Sequence, residues 1–168
     1  MDTIKYITLA LVISGCQPLQ SNRPIVMSCP ASPFGEIDFE FEVPCGLIYE
    51  MVEDALIADF PLEHNLDVWR GIKVRVEATD WLPGFRGDTE AYSGWTSMDG
   101  SIRMSRDMQA LAHEMMHVAD IHWLKWNTGD HPDWETNGYY AADKRFNTMT
   151  WTTAYTEWLS RQPKAPNP

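Results

Sequence analysis

Apolar residues recur along this chain with two periods, and each change of period marks a new element. From Cys45 to Phe60, the residues Leu47, Ile48, Met51, Val52, Ala55 and Leu56 fall at three- and four-residue spacing. That is the stripe of an amphipathic helix, and it stops near Pro61. From Gly71 to Ala78 the period shortens to two, with Ile72, Val74 and Val76 alternating with Lys73, Arg75 and Glu77. This predicts a strand with one wet face. After the loop Pro83 to Asp88, the segment Trp95 to Met104 predicts two short strands around an Asp99-Gly100 turn. Helical spacing returns with Met108, Leu111, Met115, Val118 and Ile121, where Ser105 is the cap candidate and Asp107 an acid in the first turn. A helical C-terminal part is expected from about Gly138 to Arg161. Helix, strand, hairpin and helices in this order predict an α+β fold.

The ends of the chain follow other patterns. Met1 to Lys5 is a short charged region, and the apolar run Tyr6 to Ile13 is too short to span a membrane, so residues 1–15 have the form of a signal peptide. Ile13-Ser14-Gly15-Cys16 resembles the lipobox of bacterial lipoproteins. The resemblance implies a diacylglyceryl anchor on Cys16 and a mature chain tethered to a membrane surface. An aspartate after the cysteine would resemble the inner-membrane retention signal; Gln17 stands there instead and points to the outer membrane, facing the periplasm. A plain secretory signal that leaves Cys16 as an ordinary thiol is the alternative. Residues 16–33 read as a linker, 34–162 as one domain with one core, and 163–168 as a tail.

Composition narrows the classes. A formal charge of −11 with no cluster of Lys and Arg excludes a nucleic-acid binder. Loss of residues 1–15 removes Asp2 and Lys5 and leaves that balance unchanged. With Cys16 lipidated, Cys29 and Cys45 remain, and an even pair in an oxidising compartment predicts a disulfide. It would close a loop of about 15 residues and contribute about 3 kcal/mol. Two separate thiols are the alternative; a cysteine–histidine nucleophile pair is a poorer one, because neither cysteine sits in an activated setting.

The candidate chemistry lies in His113-Glu114-Met115-Met116-His117. Residues four apart share a helix face one turn apart, so two imidazoles can reach one zinc ion at about 2.0–2.1 Å. Glu114 then stands beside the ion as a candidate general base for water. About 1% of shuffled chains of this composition would carry the pattern, and here it falls inside a helix with an apolar stripe. Histidines in ordinary core positions would instead need buried partners for two imidazoles and a carboxylate.

Motif and element order together resemble the minimal zincin metallopeptidases, from about Cys45 to Tyr140. The resemblance implies a backing helix and a small twisted sheet ahead of the metal helix, one zinc per chain, and a peptide or protein substrate. It also implies that the strand before the metal helix is a sheet edge to which extended substrate adds, here part of Ser101–Met104 or Trp95–Met98. A third zinc ligand is required. His131 is favoured, because Asn127-Thr128-Gly129 is a natural helix stop and His131-Pro132-Asp133-Trp134 resembles the His-x-x-aromatic element of SprT-type and WLM-type peptidases.

Asp130 loosely resembles the aspzincin ligand, and Glu135 is the gluzincin-like candidate. His122 lies off the metal face and one residue short of the metzincin spacing, and the turn glycine of those enzymes is Asp120 here. Asp120 is left as an acceptor for a ligand imidazole or a solvated acid. Tyr139 and Tyr140 are candidate oxyanion donors, with simple packing as the alternative. Trp123, Trp126, Trp134, Trp151 and Trp158 read as packing around the C-terminal helices. The competing functional reading is a non-catalytic zinc-binding envelope lipoprotein acting as an interaction module, its ion closed off by four protein ligands. An amidase acting on cell-wall peptides would share the metal chemistry.

Overall fold

The computed structural model of the chain describes residues 22–32, 34–49, 52, 66–83, 91–124 and 151–165. At its centre lies a mixed sheet of β1 (Met27–Ala31), β2 (Gly35–Phe39), β3 (Val74–Val76), β4 (Gly94–Thr96) and β5 (Ile102–Met104), in the order β1-β2-β3-β5-β4. Each edge is an antiparallel hairpin, β1 with β2 and β4 with β5, while β2, β3 and β5 run parallel. A parallel pair needs a long crossover, and chain 40–73 supplies the one between β2 and β3. Helices Leu111–Leu124 and Trp151–Ser160 and a short 3-10 turn at Leu66–Trp69 complete the described part. The fold is α+β, as the patterning predicts. Among the described residues no helix is long and apolar enough to cross a membrane.

Alternation places the core. Val74 and Val76 on β3, Ile102 and Met104 on β5, Ile37 and Phe39 on β2, and Cys29 and Ala31 on β1 are buried, with Leu111, Met115, Met116, Val118 and Ala119 of the longer helix in the same cluster. The Asp99-Gly100 hairpin forms as expected. Gly100 takes φ of 82°, a region open to glycine without penalty, and its N–H donates to the Ser97 carbonyl at 2.8 Å. The Asp99 carboxylate accepts from the Ser101 hydroxyl and N–H, and these bonds hold its pKa below the ordinary aspartate value.

Three elements differ from the sequence reading. Strand β1 occupies part of the stretch read as linker up to Pro33. Its apolar positions are few, and Pro30 argues against a strand, yet β1 pairs only with β2 among the described strands and an edge tolerates a missing N–H. Second, the helix carrying the histidines starts at Leu111, so Ser105 does not cap it. Ser105 is fully buried, its hydroxyl 2.9 Å from both the Ser93 carbonyl and the Asp107 carboxylate. Asp107 in turn accepts from Gln109 N–H at 3.1 Å, Met108 adopts φ of 54°, and burial raises the Asp107 pKa. Third, of the two stretches expected as the edge, Ser101–Met104 is not one: among the described strands β5 lies between β3 and β4 with all three of its residues buried, and β4, which overlaps Trp95–Met98, is at the edge. In the expected helix Cys45–Phe60, residues 45–49 and 52 are helical, with Ile48 and Val52 buried; its remainder lies outside the described residues.

The C-terminal helix Trp151–Ser160 lies within the expected helical part, whose residues 138–150 are outside the described ones. Buried Tyr155 donates to the Arg106 carbonyl at 2.6 Å, and Arg106 donates to the Pro163 carbonyl at 2.8 Å. These bonds tie the end of the chain to the turn that enters the histidine helix. Trp158 stacks on Phe41 at 6.5 Å, one instance of the expected aromatic packing.

On the other side of the sheet, Asp38, Arg75, Arg103 and Trp95 stand in register across four strands. Arg75 Nε donates to Glu40 at 2.9 Å, Arg103 Nε donates to Glu77 at 2.6 Å, and the Arg103 guanidinium lies 5.3 Å from the centre of the Trp95 ring. Burial pushes the Glu77 pKa up against the pull of Arg103. Because Arg103 is only 8% exposed, Glu77→Ala strands a buried charge. It is expected to lower the unfolding free energy by about 3–5 kcal/mol in urea titrations.

Cys29 on β1 and Cys45, where the chain turns helical after β2, form a disulfide across a sequence separation of 16. The bond fastens an edge strand to the next helical segment and shrinks the unfolded ensemble. Replacing both cysteines by alanine is expected to cost about 3 kcal/mol, read as a lower urea midpoint than that of the oxidised protein.

Candidate metal centre

In helix Leu111–Leu124, Leu111 and all residues from Glu114 to Ala119 are buried. The helix packs against β4, β5 and the turn Leu66–Trp69. Buried Trp69 donates its indole N–H to the Met115 carbonyl at 2.9 Å, which fixes the helix one residue past Glu114.

Its motif residues converge as four-residue spacing requires. The rings of His113 and His117 lie 4.8 Å apart at an interplanar angle of 77°, with their Nε2 atoms 3.2 Å apart. His117 is buried and His113 half-buried. Two nitrogens at 2.0–2.1 Å from a tetrahedral ion are separated by about 3.3–3.4 Å, a spacing close to the 3.2 Å between this pair. Without metal, the same separation suits an N–H···N contact between neutral imidazoles.

Glu114 is 4% exposed. Its Oε2 atom lies 2.8 Å from the Thr96 hydroxyl, which is also 3.0 Å from the Glu114 carbonyl oxygen. Burial pushes the Glu114 pKa up to about 7, and the Thr96 hydrogen bond acts in the opposite direction. Two residues earlier on the same strand, Gly94 leaves room for the glutamate. A Cβ there would stand 3.0 Å from Glu114 Cγ, 2.9 Å from Met104 Sδ and 3.3 Å from Ala110 Cβ.

Of the expected site residues, the described part thus brings together His113 and His117, while Glu114, between them in sequence, has its carboxylate on Thr96. His122 is exposed on the same helix. Cys16, Asp130, His131, Glu135, Tyr139 and Tyr140 lie outside the described residues, as do the side chains of Asp120 and Trp123. Among the described residues no group of three or more His, Cys, Asp or Glu side chains gathers around one point.

Sequence patterning missed Thr96, Gly94 and Trp69 as neighbours of the motif. Strand alternation put Thr96 in a strand, but its partner is 18 positions away and no local spacing marks the contact. No protein-family model, curated protein or solved structure matches this chain.

The close approach at Gly94 has a measurable consequence. Gly94→Ala forces β4 away from the helix or displaces Glu114, at an expected cost of about 1–3 kcal/mol in unfolding free energy. An unchanged thermal midpoint would show that the strand gives way without strain.

Proposed function

We propose that this chain is a zinc-dependent metallopeptidase of zincin-like fold, held at the bacterial envelope by a lipid on Cys16, at the outer membrane and facing the periplasm. The observation that carries the reading is the 3.2 Å approach of His113 Nε2 and His117 Nε2, with Glu114 between them in sequence and its carboxylate held by Thr96. In this reading His113, His117 and His131 hold one zinc ion. When bound, zinc supplies Lewis-acid polarisation of a peptide carbonyl and lowers the pKa of water.

The protein groups do the rest. Glu114 takes a proton from the attacking water and returns it to the leaving amine. Strand β4, the edge nearest the helix, offers backbone N–H and C=O groups to an extended peptide, which would join the sheet as a further strand. Tyr139 or Tyr140 donates to the developing oxyanion. Cleavage before Cys16 and lipidation of that cysteine account for the apolar leader and tether the mature chain.

The purified mature protein should contain one zinc per chain, lost in His113→Ala and His131→Ala and retained in His122→Ala. Glu114→Gln should keep the zinc while slowing peptide cleavage by about 100-fold or more. Zinc-free protein after controlled reconstitution would overturn the metal assignment, and full activity of Glu114→Gln would overturn the general base.

A further inference from the structure

Glu114 reaches its position through a flexible side chain, and a free glutamate loses up to about 2 kcal/mol of rotamer entropy when it is fixed. A general base has to stay within hydrogen-bond reach of one water, with a tolerance of about 0.5 Å. Some group must therefore hold the carboxylate. The polar side chain in contact with it is Thr96, whose hydroxyl lies 2.8 Å from Oε2.

The geometry around this contact is built from one face of one strand. Gly94 and Thr96 are two residues apart on β4, so both point at the helix. Gly94 contributes the absence of a side chain, and the glutamate stem lies where a Cβ would be crowded. Thr96, only 8% exposed as a residue, contributes a hydroxyl in a buried contact. That hydroxyl has one proton, and the acceptors within reach include Glu114 Oε2 and the Glu114 carbonyl oxygen at 3.0 Å. The carbonyl belongs to a helix that supplies it with its own N–H donor, and a carboxylate is the stronger acceptor. The proton therefore goes to Oε2.

We propose that Thr96 is the positioning residue of the base: its hydroxyl holds Oε2 and leaves Oε1 of Glu114 for the reacting water. The proposal rests on the zinc-peptidase reading given above. Because Thr96 closes the edge strand, the same β4 that would pair with substrate also carries the group that aligns the base. Substrate pairing and base alignment are then set by one element.

Two variants separate this role from simple packing. Thr96→Val keeps the shape and removes the donor, whereas Thr96→Ser keeps the donor and removes a methyl group. In the metal-loaded mature protein, Thr96→Val should lower kcat by about 10–100-fold with KM and zinc content unchanged, and Thr96→Ser should restore most of the rate. A rise in KM with kcat intact, or equal losses in both variants, would assign Thr96 to strand packing and overturn the proposal.

A second readout does not depend on turnover. In protein without added metal, the 13Cδ resonance of Glu114, assigned by its disappearance in Glu114→Gln, should shift in Thr96→Val and return in Thr96→Ser. An unmoved resonance in Thr96→Val overturns the positioning contact even if the protein is a peptidase. Absence of zinc-dependent cleavage in the unmutated protein overturns the parent reading and the proposal with it, whatever the resonance does.

Discussion

The site depends on how closely one edge strand lies on one helix. Gly94 lets β4 approach Leu111–Leu124 until a Cβ would collide with the Glu114 stem, and Thr96 then meets the carboxylate at 2.8 Å. At the next residue, Trp69 donates to the Met115 carbonyl. A helix held at two adjacent residues keeps a fixed rotation about its axis, and that rotation decides which residues face the core and which face the candidate site. With it fixed, His113 and His117 converge, and the carboxylate between them in sequence is buried with a partner instead of stranded.

The rest of the described structure holds those elements in register. The entry to the helix is an irregular turn with a non-glycine residue at positive φ, fastened by buried Ser105, by Asp107 and by the tie of Tyr155 to Arg106. An α-helical approach from Ser105 would have used a simple side-chain cap. The observed turn uses the same polar residues to join β4, β5 and the C-terminal helix. At the far edge, the Cys29–Cys45 disulfide does for β1 what pairing on both sides does for a central strand. The ion pair of Arg103 with Glu77 and the stacking of Arg103 on Trp95 secure β5 and β4 from the face away from the helix.

These constraints give the proposed chemistry its setting. Two imidazoles 3.2 Å apart form a donor pair whose spacing a tetrahedral cation shares, and a carboxylate raised in pKa by burial is one that an adjacent cation would return to its ionised form. An edge strand beside this group is a suitable place for an extended peptide backbone, since its outward N–H and C=O groups have the spacing of a strand. Glu114 and the edge strand are neighbours because they belong to the same strand–helix contact.

How much could be read in advance differs by element, for physical reasons. The α+β class, the strand around Val74–Val76, the Asp99-Gly100 hairpin and the pairing of the two histidines follow from local periodicity and turn chemistry, which short windows of sequence contain. A disulfide between Cys29 and Cys45 follows from counting. The strand Met27–Ala31 was hidden because Pro30 and a weak alternation read as linker, and only an edge position makes that proline acceptable. The start of the helix at Leu111 was hidden because Ser105 is a good cap by composition but is drawn into a buried tertiary contact. By itself the sequence determined that His113, Glu114 and His117 lie on one helix, with the two imidazoles on one face. Only the tertiary structure decided what holds them, because Gly94, Thr96 and Trp69 reach the helix through contacts spanning 18 to 46 positions, and no periodicity records contacts of that range.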